Sequence, residues 1–118
     1  MDINRYKKRL LQKEQELLAE ISRLEAEARD ARQAEVEDPM DRVISDEGRA
    51  TAFQESTLEW QTLTQVRDAL RRIEEGTYGK CVDCGRDIEP ARLEAVPWTP
   101  YCLQDQEKHD RENRGSVD

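Results

Sequence analysis

The sequence predicts a mainly α-helical protein: a long antiparallel coiled-coil hairpin that carries a small cysteine-bearing lobe and a C-terminal helix. Two observations lead to this fold class. Two long segments with apolar residues at helical spacing fill the first 75 residues, and an Asp-Pro pair separates them. All three cysteines and three of the four prolines follow residue 75. That change in composition is typical of a turn-rich unit after long helices.

The first predicted helix covers residues 3–37, which contain neither glycine nor proline and are rich in strong helix formers. Leu10, Leu17 and Leu24 recur every seven residues, which is the repeat of a coiled coil. A helix of this length would extend for roughly 52 Å at 1.5 Å per residue.

The second predicted helix runs from Pro39 to residue 75. Asp38 suits its N-cap, Pro39 suits its first position, and Gly76 suits its C-terminal end. Its apolar face contains Val43, Ala50, Phe53, Thr57, Trp60, Leu63, Val66, Leu70 and Ile73. An interior proline costs about 3 kcal/mol or more, so we expect a hairpin over residues 1–75 rather than one unbroken helix that dimerises. The predicted tip is residues 38–43, and a monomer is expected.

The lobe is predicted at residues 76–105 and the C-terminal helix at 99–114, with Thr99 as its N-cap and Pro100 as its first residue. Residues 115–118 form a tail. Cys81 and Cys84 are spaced as in a zinc knuckle, and Gly85 allows the turn that follows them. The third thiol is Cys102. This pattern predicts a zinc-finger-like lobe.

The fourth zinc ligand is open, because Asp105 stands where a second Cys-x2-Cys pair would place its last cysteine. Asp105 can itself bind zinc through a carboxylate oxygen. His109, one helical turn later, could replace it or act through a water molecule. Alternatively no metal binds, and apolar side chains alone pack the lobe: Leu93, Val96, Trp98, Tyr101 and Leu103.

The predicted hairpin tip is acidic, with six carboxylates and one arginine between residues 35 and 47. Helix capping explains Asp38 and part of the role of Asp41. Capping does not explain why two long amphipathic helices should place a cluster of carboxylates so far from the lobe. The tip therefore suggests a probe that reaches metal ions or basic side chains of a partner.

Composition excludes several classes of function. The 118 residues have a net charge of −8, which argues against wrapping a nucleic-acid backbone. No apolar run approaches the ~20 residues of a membrane span, and no secretory signal is recognisable, so a cytoplasmic protein is expected. The cysteines have no base and oxyanion donor beside them in the sequence, so we expect no enzyme.

Two motifs resemble the DksA/TraR family of regulators of bacterial RNA polymerase. One is Asp38-Pro39-Met40-Asp41-Arg42; the other runs from Gly76-Thr77-Tyr78-Gly79 through both knuckle cysteines and Arg92-Leu93-Glu94-Ala95 to Cys102. The resemblance implies a hairpin that enters the secondary channel of the polymerase without binding DNA. It also implies a Zn²⁺-binding lobe, and tip residues Asp38 and Asp41 that act near the catalytic Mg²⁺.

The chain departs from the family at three places. Val43 replaces the usual alanine, which is expected to weaken or redirect the tip. Asp105 replaces the fourth cysteine. Gln65, Val96 and Gln106 stand where members that respond to guanosine tetraphosphate carry basic residues, so little or no response is expected. A thiol redox sensor with a labile zinc ion and a structural coiled-coil adaptor are the alternative functions.

Overall fold

The computed structural model describes residues 1–37 and 42–115 of the chain. It contains four helices in these ranges: α1 (Ile3–Glu37), α2 (Arg42–Glu75), α3 (Pro90–Ala95) and α4 (Leu103–Gly115). The predicted mainly helical fold is confirmed. No helix in the described ranges combines the length and the apolar character that a membrane crossing requires.

Residues 12–64 form one of two compact units. It holds the long arms of α1 and α2, in which Leu17, Ile21, Leu24 and Leu63 are buried. The predicted heptad leucines of α1 thus lie inside, because this is the narrow stripe that a paired helix can cover. Trp60 does not follow the predicted apolar face of α2, since it is 43% exposed.

The second unit consists of residues 1–11 and 65–118. It contains the start of α1, the end of α2, the lobe and α4. Its core includes Val66 and Ala69 of α2 together with Ile88 and Leu93 of the lobe. Apolar side chains thus fill part of the lobe, as expected for a small unit that cannot build a large core.

Helix α2 ends where the sequence predicts, at a glycine. Gly76 has a φ of +79°, a conformation that other residues adopt only with strain. Its amide donates to the carbonyl of Ile73, and the next amide, Thr77, donates to the carbonyl of Arg72 at 2.9 Å. These two bonds form a Schellman motif, which satisfies the last carbonyls of the helix and turns the chain into the lobe.

Helix α4 begins at Leu103, later than the expected start at Thr99. Thr99 is buried, and its hydroxyl donates to the carbonyl of Tyr101. The carbonyl of Pro100 accepts a hydrogen bond from the amide of Val82 at 2.9 Å. Because the Thr99 hydroxyl and the Pro100 carbonyl form these hydrogen bonds within the lobe, the Thr-Pro pair does not start a helix.

Glu94 joins the first turns of α1 to α3. Arg5 donates to both of its carboxylate oxygens, at 2.9 and 2.6 Å, and the hydroxyl of Tyr6 donates at 3.0 Å. Arg9 donates to its backbone carbonyl at 2.8 Å. Hydrogen bonds from Arg5 and then from Tyr6 lower the pKa of Glu94 to about 2. The carboxylate is therefore more stable in the folded protein than in the unfolded chain.

Glu94→Gln is expected to lower the thermal stability of the protein at neutral pH. The pKa of Glu94 falls from an ordinary value of 4.5 to about 2 on folding, so its contribution is complete above pH 4.5 and is lost as the pH falls towards 2. Melting temperatures measured across this range should converge for the two proteins at the acid end.

The matched control for this measurement is Glu107→Gln, which removes an exposed carboxylate of α4. Its melting curve should follow that of the unchanged protein at every pH. A difference between Glu94→Gln and the unchanged protein that stayed constant down to pH 2 would contradict an electrostatic role for Glu94.

Candidate metal centre

A tight turn presents the first two cysteines. The amide of Gly85 donates to the carbonyl of Cys81 at 2.9 Å, and Gly85 has a φ of +75°. The amide of Cys81 donates to the carbonyl of Arg86 at 2.8 Å, and an antiparallel bridge joins Lys80 to Asp87. The predicted knuckle is therefore a small closed loop, with Cys81 buried and Cys84 exposed.

The other two candidate ligands lie at the start of α4. Cys102 directly precedes the helix, and its carbonyl accepts a hydrogen bond from the amide of Gln106 at 2.9 Å. Asp105 lies three residues further along. Residues three apart are neighbours on a helical turn, and the carboxylate of Asp105 accordingly lies 3.5 Å from the sulfur of Cys102.

These two segments come together in one cluster. The sulfurs of Cys81, Cys84 and Cys102 and one carboxylate oxygen of Asp105 all lie within 4.8 Å of one another. The sulfurs of Cys84 and Cys102 are 3.9 Å apart. A tetrahedral ion with Zn–S bonds of about 2.3 Å requires sulfurs about 3.8 Å apart. The donor types and their spacing therefore fit zinc.

The cluster is held by hydrogen bonds between its own members. The thiol of Cys81 donates to a carboxylate oxygen of Asp105 at 2.9 Å. Hydrogen bonds from Cys81 and then from Cys84 lower the pKa of Asp105, so its carboxylate stays ionised. A zinc ion would take the place of these thiol protons, because thiolate is the form that binds the metal.

The pKa of Cys84 is raised to about 12 despite a backbone hydrogen bond from Arg86 that acts to lower it. Hydrogen bonds with Asp105 and with the other two thiols, together with partial loss of solvent around the sulfur, outweigh that hydrogen bond. In the metal-free protein Cys84 is therefore a protonated thiol. Zinc uptake should consequently release protons and become weaker as the pH falls.

His109 lies outside this cluster. Its Nε2 is 2.6 Å from a carboxylate oxygen of Asp83, and its ring stacks on Tyr101 with the centroids 4.1 Å apart. The imidazole is thus used to connect α4 to the knuckle and does not point to a fourth ligand position. The geometry favours Asp105 over His109 as the fourth donor.

Arg92 positions the segment that carries Cys102, a role that the sequence did not suggest. Its Nε donates to the carbonyl of Tyr101 at 3.0 Å, and one terminal nitrogen donates to Thr99 and Gln106, both at 3.2 Å. No local pattern could have revealed this, because a single arginine in a short helix is normally a surface residue. The Asp83–His109 contact joins residues 26 apart, so no local pattern indicates it either.

The remaining predicted site residues are those of the hairpin tip and the three positions considered for an alarmone. Asp38 and Asp41 lie outside the described residues, and Val43 is described only as part of the backbone of α2. Among the positions considered for an alarmone, Gln65 is exposed and Val96 is half-buried. The side-chain amide of Gln106 donates to Asp110 at 3.1 Å.

Comparison with known proteins gives consistent matches. The family model for the prokaryotic dksA/traR C4-type zinc finger matches residues 76–111. The RNA polymerase-binding transcription factor DksA of Caulobacter vibrioides is 33% identical over 113 residues, which cover 92% of this chain and 76% of that protein. An uncharacterised protein of Aquifex aeolicus is 47% identical over 58 residues, 49% of this chain and 40% of that protein.

Two solved structures share the fold. Transcription factor DksA2 from Pseudomonas aeruginosa matches with a TM-score of 0.82 and 28% identity, over 95% of this chain and 85% of that one. The RNA polymerase-binding transcriptional regulator from Chlamydia trachomatis matches with a TM-score of 0.59 and 25% identity, over 95% of this chain and 93% of that one.

Proposed function

Because this chain belongs to the DksA/TraR family, we propose that it binds bacterial RNA polymerase and regulates transcription. The observation that carries this proposal is the similarity to a polymerase-binding factor along 92% of the chain. It spans both the long helices and the cysteine lobe, so the whole architecture is shared rather than a common zinc-finger segment. The protein would act in the cytoplasm, where the polymerase is found.

The hairpin would be the part that enters the polymerase. Helices α1 and α2 contain 35 and 34 residues, each roughly 50 Å long at 1.5 Å per residue. Such a rod can enter a narrow channel, and its acidic tip would place Asp38 and Asp41 near the catalytic Mg²⁺. A factor that binds one initiation intermediate more tightly than another shifts the population towards it. Neither DNA binding nor catalysis is required.

The lobe would contact the outer surface of the polymerase as a rigid unit. Cys81, Cys84, Cys102 and Asp105 would hold a structural zinc ion. Bound there, zinc supplies a cross-link between the knuckle and the start of α4, in a closed site without an open catalytic position. The chain contributes the orientation of its donors, which Arg92 and His109 help to fix.

A response to guanosine tetraphosphate is not part of this proposal. Gln65, Val96 and Gln106 carry no positive charge, and a phosphate-rich ligand needs cationic partners. We expect regulation by this protein to be the same with and without the alarmone.

A redox-sensing variant of the same factor is the second candidate. Cys84 is exposed, and its sulfur lies 3.9 Å from that of Cys102. Peroxide could oxidise the two thiols to a disulfide, with two water molecules as the reduced product and zinc released. A titration of zinc release against peroxide tests this role, and retention of zinc at millimolar peroxide would exclude it.

The coiled-coil adaptor is not favoured by any contact in the described residues.

The leading proposal is tested by capture of core RNA polymerase on the immobilised full-length protein. We expect stoichiometric capture, and release of the polymerase by an excess of the Caulobacter DksA, which would occupy the same channel. Zinc analysis of the same sample should give one ion per chain. Failure to retain polymerase, or retention unaffected by the competitor, would overturn binding through the secondary channel.

A further inference from the structure

A cavity of about 450 Å³ lies between the end of α2 and the knuckle, within the unit formed by residues 1–11 and 65–118. Three of the side chains that line it are cationic: Arg71, Arg72 and Lys80. Glu75 is the carboxylate in its lining. Of the four proposed zinc donors only Cys81 borders this cavity, so the cavity adjoins the metal centre on the side of Cys81 without containing it.

Arg72 is an unusual residue in this lining, because it is buried and forms no ion pair with a described residue. Asp68 and Glu75 act on its charge only from beyond 4.0 Å. Arg72 is only 8% exposed, and its Nε has no hydrogen-bond partner within the described part of the chain. Burial is the main cause that lowers its pKa. A buried cation without a hydrogen-bonded counter-ion is unfavourable, so such groups are normally paired with an opposite charge.

The neighbouring cations do not share this situation. Arg71 lies 3.2 Å from a carboxylate oxygen of Asp68 and 3.9 Å from one of Glu75. Lys80 lies 2.6 Å from a carboxylate oxygen of Asp87. Both are exposed and already paired, whereas no described carboxylate lies within 4.0 Å of the guanidinium of Arg72. Arg72 is therefore the cation of this lining that lacks a paired carboxylate among the described residues.

The charge available to an incoming anion is that of Arg72. The lining contains three cations and one carboxylate, but Arg71 and Lys80 are already paired with Asp68, Glu75 and Asp87. A side chain built at Gly85 would meet no atom within 4 Å, so the wall leaves open space there. The amides of Gly76 and Thr77 satisfy two of the last four carbonyls of α2, which reduces repulsion from that helix end.

We propose that this cavity is an anion-binding site that takes a phosphate group, as inorganic phosphate or as a phosphomonoester, on Arg72 with Arg71 and Lys80. The planar guanidinium offers the paired donors that bind phosphate oxygens in a bidentate manner. The site is independent of polymerase binding, so it can be tested on the isolated protein.

The test is a titration of the zinc-loaded full-length protein with inorganic phosphate, followed by the NMR signal of the Arg72 Nε–H group. We expect a saturable shift that sodium chloride at equal ionic strength does not produce. A parallel titration with glycerol 3-phosphate distinguishes the source, since tighter binding of the ester than of the free ion identifies a phosphomonoester ligand. Absence of a saturable shift with both probes would overturn the proposal.

Variants locate the site. Arg72→Gln is expected to weaken phosphate binding about tenfold or more, the loss for one hydrogen bond to a charged group. Lys80→Gln, at an exposed position, should also weaken phosphate binding. It provides the test if the Arg72 variant does not fold. Arg111→Gln removes an exposed arginine of α4 that does not line the cavity, and binding should be unchanged. Equal affinity in all variants would refute the assignment.

Discussion

Replacing Cys102 by serine is expected to abolish zinc retention and to destabilise the lobe. Cys102 would supply one of the three thiolates of the proposed zinc site, and it also lies at the junction between the lobe and α4. Structural zinc contributes about 10–16 kcal/mol in small zinc-finger peptides. The loss here should be smaller, on the order of a few kcal/mol, because Ile88 and Leu93 form an apolar core without the metal.

The measurement is thermal unfolding with and without a zinc chelator, combined with metal analysis. The unchanged protein should melt at a lower temperature when the chelator is present, whereas Cys102→Ser should melt at the same temperature in both conditions. Asp105→Cys is the matched variant, because it completes a four-cysteine site, and it should lose zinc to the chelator more slowly. If Cys102→Ser held zinc as firmly as the unchanged protein, the cluster would not be the metal centre.

The double substitution Asp38→Asn with Asp41→Asn is expected to remove nearly all regulation of transcription initiation while polymerase binding is kept. Asparagine preserves the shape of the side chain and its capacity to cap a helix, but it removes the negative charge. The expected change in polymerase affinity is less than tenfold, or about 1.4 kcal/mol. Single-round transcription and a polymerase binding assay on the same preparations provide the two measurements.

The matched control for the tip is Glu35→Gln with Glu47→Gln, which removes two charges from the same region and leaves both aspartates. Regulation should persist in this variant if the aspartates act specifically. Equal loss of binding and regulation in the aspartate variant would indicate instead that the two charges contribute to polymerase binding itself and not to a later step.

Local sequence signals determined the framework of this protein. The heptad leucines, the absence of glycine and proline over 35 residues and the stop at Gly76 each depend on neighbours within one or two turns. Backbone hydrogen bonding and side-chain spacing act over the same short distance, so α1 and the end of α2 could be predicted. The knuckle spacing of Cys81 and Cys84 is local in the same sense.

Only the tertiary structure decided the rest, because the relevant partners are far apart in sequence. Asp105 lies beside Cys81 across 24 residues, and Arg5 bonds Glu94 across 89. The exposure of Trp60 and the burial of Arg72 likewise depend on which surfaces the packed units cover. Periodicity along a helix defines its faces, but the free energy of packing selects which face is buried and which charges meet.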